Sequence, residues 1–217
     1  MGASHFLILL SVQIILLGLF IWQGIFHELL FQIKKLAALF QSSSVNTPVW
    51  MKWAIILAVA LTFLMTFLPP AEAYDALLYH LTVPQLWLQD GGIYPYDFFQ
   101  YWFPSLAEGV YVFGVGLNSE ISAQQIHFAW AIAMGILLWD WSRRVWGERT
   151  AWWTLIFIIS MPSLLLLASW AYTDMALSFF GMAMLYTLWQ GRELNDTRWW
   201  VISAITAGMA MGIKYTS

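Results

Sequence analysis

Apolar segments long enough to cross a lipid bilayer recur along this chain and leave little room for a soluble fold. A spanning helix needs about 20 predominantly apolar residues, with a tolerance of roughly 17 to 25. Six segments reach or approach that length, and the polar connections between them hold almost all the charge. The sequence therefore predicts an all-α, polytopic transmembrane helical bundle of about six spans. The segments are 6–26, 49–68, 121–141, 151–169, 175–189 and the run that starts at residue 199.

The composition agrees with a membrane protein. Hydrophobic residues make up 61% of the chain and charged residues only 10%, whereas soluble domains are about one-quarter charged. The aromatic content of 18% suits a bilayer, where aromatic rings collect at the headgroup levels. The nine Lys and Arg residues are scattered and the net charge is −3, which excludes the basic stripe of a nucleic-acid-binding protein. The sequence has no cysteine, so disulfide frameworks and thiolate metal sites are excluded.

The distribution of cations predicts which loops are cytoplasmic. Short cytoplasmic loops retain Lys and Arg, and translocated loops lack them. Residues 69–125 contain six acids and no Lys or Arg, so we expect the long loop 69–121 on the non-cytoplasmic side of a multi-pass protein of the plasma (cell) membrane. The cations that flank the first, third and fifth connections are Lys34, Lys35, Lys52, Arg143, Arg144, Arg149, Arg192 and Arg198.

The segment 103–117 tests this topology, because it is apolar yet short and is interrupted by Pro104 and Glu108. If it crossed the membrane, five arginines farther along the chain would lie outside. We therefore predict an interfacial or re-entrant helix in the outer loop. A single transmembrane domain would then cover residues 1–217. Because the chain stops at Ser217 inside a predicted helix, we expect it to be the N-terminal part of a longer protein.

Within the loop, the pattern predicts a short helix over 72–82 and a second helical turn from Pro84 that Gly91 and Gly92 terminate. Helical spacing places Asp75, Tyr79 and Thr82 on one face. The acids of the loop, Glu108 among them, are expected to keep it hydrated. The residues expected to face lipid are Leu77, Leu81, Leu86, Trp87 and Leu88.

Three ionisable residues fall where the outer ends of spans should meet, namely Asp75, Asp174 and Lys214. A helix that starts near Trp199 and rises about 1.5 Å per residue carries Lys214 roughly 22 Å across the membrane. An unpaired lysine at depth costs at least about 2.5 kcal/mol. Lys214 therefore needs an anionic partner, either an acidic side chain or a substrate phosphate.

Each of these residues also has a purely structural interpretation. Asp75 suits the N-terminus of a helix, and Asp174 suits the N-cap of the fifth span. The stem of Lys214 is long enough to reach the outer interface. A lone histidine such as His80 on an interfacial helix is usually a solvated surface group. Gly208 and Gly212 have the spacing of a helix-packing contact.

A set of short motifs after the second predicted span supports a family resemblance. Residues 69–80 contain the pairs PP, YD and YH, residues 161–162 read MP, residues 172–177 read YTDMAL, and residues 214–216 read KYT. This pattern resembles membrane glycosyltransferases of the GT-C class, whose relatives include the protein O-mannosyltransferases and the lipid A aminoarabinose transferases. The resemblance runs from about residue 49 to the end of the chain.

The resemblance implies transfer of a sugar from a polyprenyl-phosphate donor to an acceptor at the non-cytoplasmic face. Asp75 would be the general base, and Lys214 would neutralise the departing lipid phosphate. Asp174 would orient the acceptor, the sugar or a bound cation. Ala76 stands where several relatives have a second acid, which is a departure from the protein-mannosylating members. The expected substrate-binding residues are Asp174, Lys214, Tyr79, His80 and Tyr172.

Two other functions remain open at this point. A transporter or channel subunit would also contain intramembrane charges, placed along a path through the bilayer. A non-catalytic membrane assembly factor would tolerate Asp75→Ala and Lys214→Ala. The sequence identifies neither the sugar nor the acceptor, and it predicts no cofactor beyond the lipid-linked donor. Two separated aspartates neither demand nor exclude a divalent cation.

Overall fold

The computed structural model describes residues 34, 48–70, 73–94, 96–117 and 119–214. The chain divides into two compact units, Met1–Val49 and Trp50–Ser217, and nearly all described residues belong to the second. The span predicted at 6–26, the acid Glu72 and the last two residues of the KYT motif lie outside the described residues.

The described residues are helical and contain no strand, so the all-α prediction is confirmed for this part of the chain. A π-helical turn, Ala76–His80, precedes the second helix, and a 3₁₀ turn, Phe99–Trp102, precedes the third. Among the described residues there are eight α-helices: α1 Val49–Met65, α2 Thr82–Asp90, α3 Leu106–Gly116, α4 Glu120–Trp146, α5 Glu148–Ile159, α6 Pro162–Ser169, α7 Asp174–Leu194 and α8 Thr197–Ile213.

Among the described residues, one helix is long and apolar enough to cross a bilayer by itself. This is α4, whose 27 residues correspond to about 40 Å at 1.5 Å per residue. The pair α5 and α6 passes the same criterion only when taken together, and it bends by 72° at the break. Helices α1 and α3 are apolar but shorter. The number of six spans therefore stays a prediction.

The bend between α5 and α6 has a local cause. Pro162 occupies the first position of α6, where its missing N–H removes no hydrogen bond that the new helix requires. The same residue inside one continuous helix would delete a hydrogen bond and clash with the preceding turn. The segment predicted as a single span at 151–169 is consequently two helices at an angle.

Helices α7 and α8 form a hairpin that brings distant residues to one end. Asn195 reverses the chain in a left-handed conformation with φ of 49°, and the Asp196 side chain caps α8 by accepting from the Arg198 N–H at 3.0 Å. Farther along, the Ser203 hydroxyl donates to the Met184 carbonyl at 2.9 Å. The start of α7 and the end of α8 therefore lie at the same end of the hairpin.

The long loop is fastened at both of its ends to the first turns of α4. The Gln124 side-chain amide donates to the carbonyl oxygens of Thr66 and Leu68, each at 3.0 Å, and so holds the end of α1 against α4. At the other end, a Cβ added to Gly114 of α3 would lie 2.7 Å from the Ala123 nitrogen. Only glycine permits this close approach of α3 to α4.

The α2 region differs from its prediction. The backbone forms a π-helical turn and then α2, which Gly91 ends with φ of 71°. Leu81, Trp87 and Leu88 were expected to face lipid and are buried. For Trp87 the cause is the segment after α2, which folds back over this side chain and covers it with aromatic rings. These rings come from Tyr96, Phe98, Tyr101 and Phe103.

Candidate active site

The α7–α8 hairpin brings Lys214 to Asp174. Asp174 is the first residue of α7, and Lys214 follows the last residue of α8. The ammonium Nζ lies 3.2 Å from the carboxylate Oδ1, and the two side chains are 36% and 39% exposed. An acidic side chain is thus the anionic partner that the sequence predicted for Lys214. A half-exposed ion pair contributes little to stability.

The N-cap interpretation of Asp174 is wrong. Thr173 occupies the cap position and makes no capping bond with its side chain. Its hydroxyl is buried and has no hydrogen-bond partner among the described residues. Asp174 lies in the first helical turn, where its negative charge interacts favourably with the helix dipole. The Asp174 carboxylate therefore does not cap the helix and is available to pair with Lys214.

Asp75 directly precedes the π-helical turn and is exposed. Within the described part of the chain its carboxylate makes no hydrogen bond and no ion pair. Its backbone lies close to the phenolic oxygen of Tyr172, which belongs to the α6–α7 connection. The loop that carries Asp75 therefore lies beside the residues just before Asp174.

Two phenols lie between these acids. Burial, followed by the charge of Asp75, raises the pKa of Tyr79 above its ordinary value, and the charge of Asp174 acts in the same direction. Burial and then the charge of Asp75 likewise raise the pKa of Tyr172. Both phenols are protonated at neutral pH, as an ordinary tyrosine is, so each is able to donate a hydrogen bond.

His80 is not a solvated surface group. Its Nδ1 lies 2.5 Å from Oε1 of Glu108, and the two side chains are only 4% and 5% exposed. The expectation that Glu108 keeps the loop hydrated is therefore also wrong. The imidazole lies beside two phenol rings, with centroid distances of 4.0 Å to Tyr79 and 5.9 Å to Tyr172. A single acid inside the apolar segment 103–117 was the sequence signal for a buried partner.

A second buried histidine supports the α6–α7 connection. The Met175 N–H donates to Nε2 of His127 at 3.1 Å, so Nε2 carries no proton. The proton therefore sits on Nδ1, which donates to the Tyr111 hydroxyl at 3.1 Å. That hydroxyl donates in turn to the Tyr172 carbonyl. This chain fixes the neutral δ tautomer of His127 and joins α3, α4 and α7 beside Asp174.

Sequence reasoning missed Tyr111 and His127. They are 16 residues apart on separate helices, and no local spacing rule connects them. A polar side chain within a predicted apolar span was the available signal for His127, because such a residue needs a partner in a membrane.

Among the described residues, no group of three or more His, Asp and Glu side chains is placed to hold a metal ion. The structure brings six predicted residues into one region, namely Asp75, Tyr79, His80, Tyr172, Asp174 and Lys214.

Comparison with known proteins gives one match. Residues 97–217, more than half of the chain, match the dolichyl-phosphate-mannose-protein mannosyltransferase family. No curated protein and no solved structure matches. The matched part extends from the 3₁₀ turn through α8 and includes Tyr172, Asp174 and Lys214, whereas Asp75 precedes it. The chain therefore belongs to the dolichyl-phosphate-mannose-protein mannosyltransferase family, whose members are membrane glycosyltransferases of the GT-C type, and the predicted resemblance is confirmed.

Proposed function

We propose that this chain transfers a sugar from a polyprenyl-phosphate donor to an acceptor hydroxyl at the non-cytoplasmic face of the membrane, with Asp75 as general base. Family membership supports a mannosyltransferase type of reaction. The observation that carries the role of Asp75 is its exposed carboxylate, which has no partner among the described residues, whereas the ionisable groups nearby form the pairs His80–Glu108 and Asp174–Lys214.

A carboxylate in this position matches the chemistry of sugar transfer. An acceptor hydroxyl is a weak nucleophile, and a positioned general base contributes about 10² to 10⁴ in rate. Asp75 takes the hydroxyl proton as the acceptor oxygen bonds to the anomeric carbon. The bond from that carbon to the donor phosphate breaks, polyprenyl phosphate leaves with the electron pair, and the configuration of the anomeric carbon inverts.

Lys214 is suited to hold the departing phosphate. An ammonium group has three N–H donors, and Asp174 accepts one of them. Two donors are then available to phosphate oxygens. A cation aimed at the charge that develops on a leaving group is an effective form of transition-state stabilisation. Asp174 keeps the ammonium in place between turnovers and orients it.

An apolar cavity beside this pair suits the first isoprene units of the donor. It has a volume of about 400 Å³ and lies between α2 and α3. One of its lining residues, Leu106, also lies beside Gly212, two residues before Lys214. A lipid chain in the cavity would place its phosphate near the ammonium. The lining residues are Trp87, Ile93, Tyr101, Ser105, Leu106, Gly109 and Val110.

The distribution of charge supports the non-cytoplasmic face. Residues 69–125 contain no Lys or Arg, whereas the opposite end of α4 carries Arg143 and Arg144 in its last turn. Translocated loops lack such cations. The end of α4 that holds the candidate site is therefore the one expected outside the cytoplasm.

The test is an assay of the full chain in proteoliposomes supplied with polyprenyl-phosphate mannose, with release of polyprenyl phosphate as the measurement. Asp75→Asn should lower the rate by about 10² to 10⁴. Asp97→Asn is the matched control, because Asp97 is an exposed acid of the same loop, and it should keep the wild-type rate. Folded protein that consumes no lipid-linked donor, or Asp75→Asn at full activity, would refute the proposal and favour a transport function.

A further inference from the structure

The backbone after Asp75 has an unusual form. Residues Ala76–His80 make a π-helical turn, closed by a hydrogen bond from the Leu81 N–H to the Ala76 carbonyl at 2.8 Å. Such turns contain one residue more than an α-helical turn, are rare, and occur frequently at functional sites. Here the turn buries Tyr79 and His80 while Asp75 stays exposed. Asp75 directly precedes the turn, so a change in the turn would also move the backbone that carries its side chain.

The last residue of this turn is held by a buried contact. His80 meets Glu108 at 2.5 Å with both side chains almost fully enclosed. Glu108 lies in the first turn of α3, and Gly114 in the same helix packs directly against the backbone of α4. The His80–Glu108 contact therefore connects the turn to a helix of the loop that packs closely against α4.

Stability alone does not explain this pair. Replacement of a buried ion pair by well-packed apolar residues is often neutral or stabilising. Glu108 Oε2 is also buried, with no partner among the described residues, and an unpaired buried oxygen is costly. A directional contact, unlike an apolar one, fixes the orientation of both groups that form it.

We propose that His80 and Glu108 form a positioning pair, which holds the π-helical turn and thereby aims Asp75 at the acceptor hydroxyl. The proposal rests on the proposed role of Asp75 as general base. Neither His80 nor Glu108 needs to touch the substrate in this arrangement. Their loss should misdirect the base without weakening donor binding at Lys214.

The kinetic test uses Glu108→Leu, which removes the directional contact and keeps the site apolar. Displacement of a reacting group by about 1 Å can cost on the order of 10²-fold in rate, so kcat should fall by about that factor. The KM for polyprenyl-phosphate mannose should stay within about a factor of two, because ground-state donor binding is unaffected. Glu108→Gln, which keeps an acceptor for the imidazole, should recover part of the loss. Glu120→Gln, a change to an exposed acid on α4, is the matched control.

A double-mutant cycle separates positioning from an independent effect. In an Asp75→Asn background, Glu108→Leu should cause no further loss, because a residue that acts through Asp75 has nothing left to aim. An equal loss in both backgrounds would overturn the proposal. If Glu108→Leu fails to fold, His80→Leu combined with Glu108→Leu supplies an apolar pair at the same place, and the same comparison is made with it.

A spin label tests the structural half of the proposal without any turnover. The chain has no cysteine, so Leu77→Cys, at a position that is 42% exposed in the turn, gives a single labelling site. Leu185→Cys, at a 43% exposed position on α7, is the matched control. Glu108→Leu should increase label mobility at residue 77 and leave residue 185 unchanged. Unchanged mobility at residue 77 would overturn the positioning pair. Full activity of Asp75→Asn would instead refute the proposed base, which keeps the two failures distinguishable.

Discussion

The two ends of α4 carry polar networks of different completeness. At the arginine end, Asp140 accepts from Arg143 at 3.0 Å and from Arg144 at 2.6 Å. Tyr186 donates to the same carboxylate at 2.8 Å. At the other end, the Asp75 carboxylate has no partner among the described residues. Three donors thus occupy the Asp140 carboxylate, whereas no described side chain occupies that of Asp75.

This difference separates a structural acid from one that is available to a substrate. Asp140 is nearly saturated, so a ligand could bind it only by displacing an existing partner. Asp75 needs no such displacement, and Lys214 has one N–H donor on Asp174 and two left over. The Asp75 carboxylate and the remaining ammonium donors of Lys214 are therefore the groups at this end that a substrate could bind without displacing a protein partner.

The largest expected effect comes from exchanging the two acids for amides. Asp75→Asn should lower transfer by about 10² to 10⁴ and leave the melting temperature close to that of the wild type, because its carboxylate has no described partner. Asp140→Asn should give the reverse result, with reduced thermal stability and largely retained transfer. Thermal unfolding in lipid nanodiscs and the release assay measure the two effects. Equal behaviour of the two variants would remove the distinction between the ends.

Lys214→Ala should follow in size. The change removes the charge that meets the leaving phosphate, for which a loss of about 10² to 10³ is typical of a single electrostatic donor. Lys214→Arg keeps the charge and should retain part of the activity. The measurement is the rate of polyprenyl phosphate release at saturating donor, compared between each variant and the wild type. If Lys214→Ala stayed within about threefold of the wild type, Lys214 would serve only to pair with Asp174.

Gly114→Ala should lower the free energy of unfolding, and the destabilisation should be largest at the end of α4 near Asp75. The added Cβ would lie 2.7 Å from a backbone nitrogen of α4, and an overpacked contact of this kind costs about 3 kcal/mol. Gly208→Ala is the control, because a Cβ there meets no atom of the described residues within 4 Å. The packing contact expected of Gly208 is thus not found there, and its replacement should be neutral or slightly stabilising. Chemical unfolding of both variants checks the difference.

Tyr111→Phe should have the smallest effect of the four. It leaves the Tyr172 carbonyl and one His127 nitrogen without their present partner, which costs about 1 to 2 kcal/mol. Because the chain of hydrogen bonds ends at the start of α7, local protection of that helix should fall more than protection of its far end. Hydrogen exchange on α7 measures this difference, and a uniform loss would contradict it.

The sequence predicted those parts of the site that follow from the energetic cost of an unpaired charge in a membrane or from a local helix-ending motif. The depth predicted for Lys214 required an anionic partner, and Asp174 is that partner. Gly91 was expected to end its helix and does so. The His80–Glu108 contact joins residues 28 positions apart, and only the tertiary packing of α3 selects that pairing. The π-helical turn was also unpredictable, because one extra residue in a turn leaves composition and apolar spacing almost unchanged.

The turn at Asn195 has a consequence for which length changes this chain can tolerate. Asp174 begins the 21 residues of α7 that lead to the turn, and Lys214 follows the 17 residues of α8 that lead away from it. The two charges meet because the lengths of these helices match. Each inserted or deleted residue would rotate one helix by about 100° and shift it by about 1.5 Å. Single-residue length changes in either helix should therefore separate the charges, whereas a change of seven residues restores the angular position but moves the end by about two turns. Variation in length is consequently tolerable in the connections and not in this hairpin.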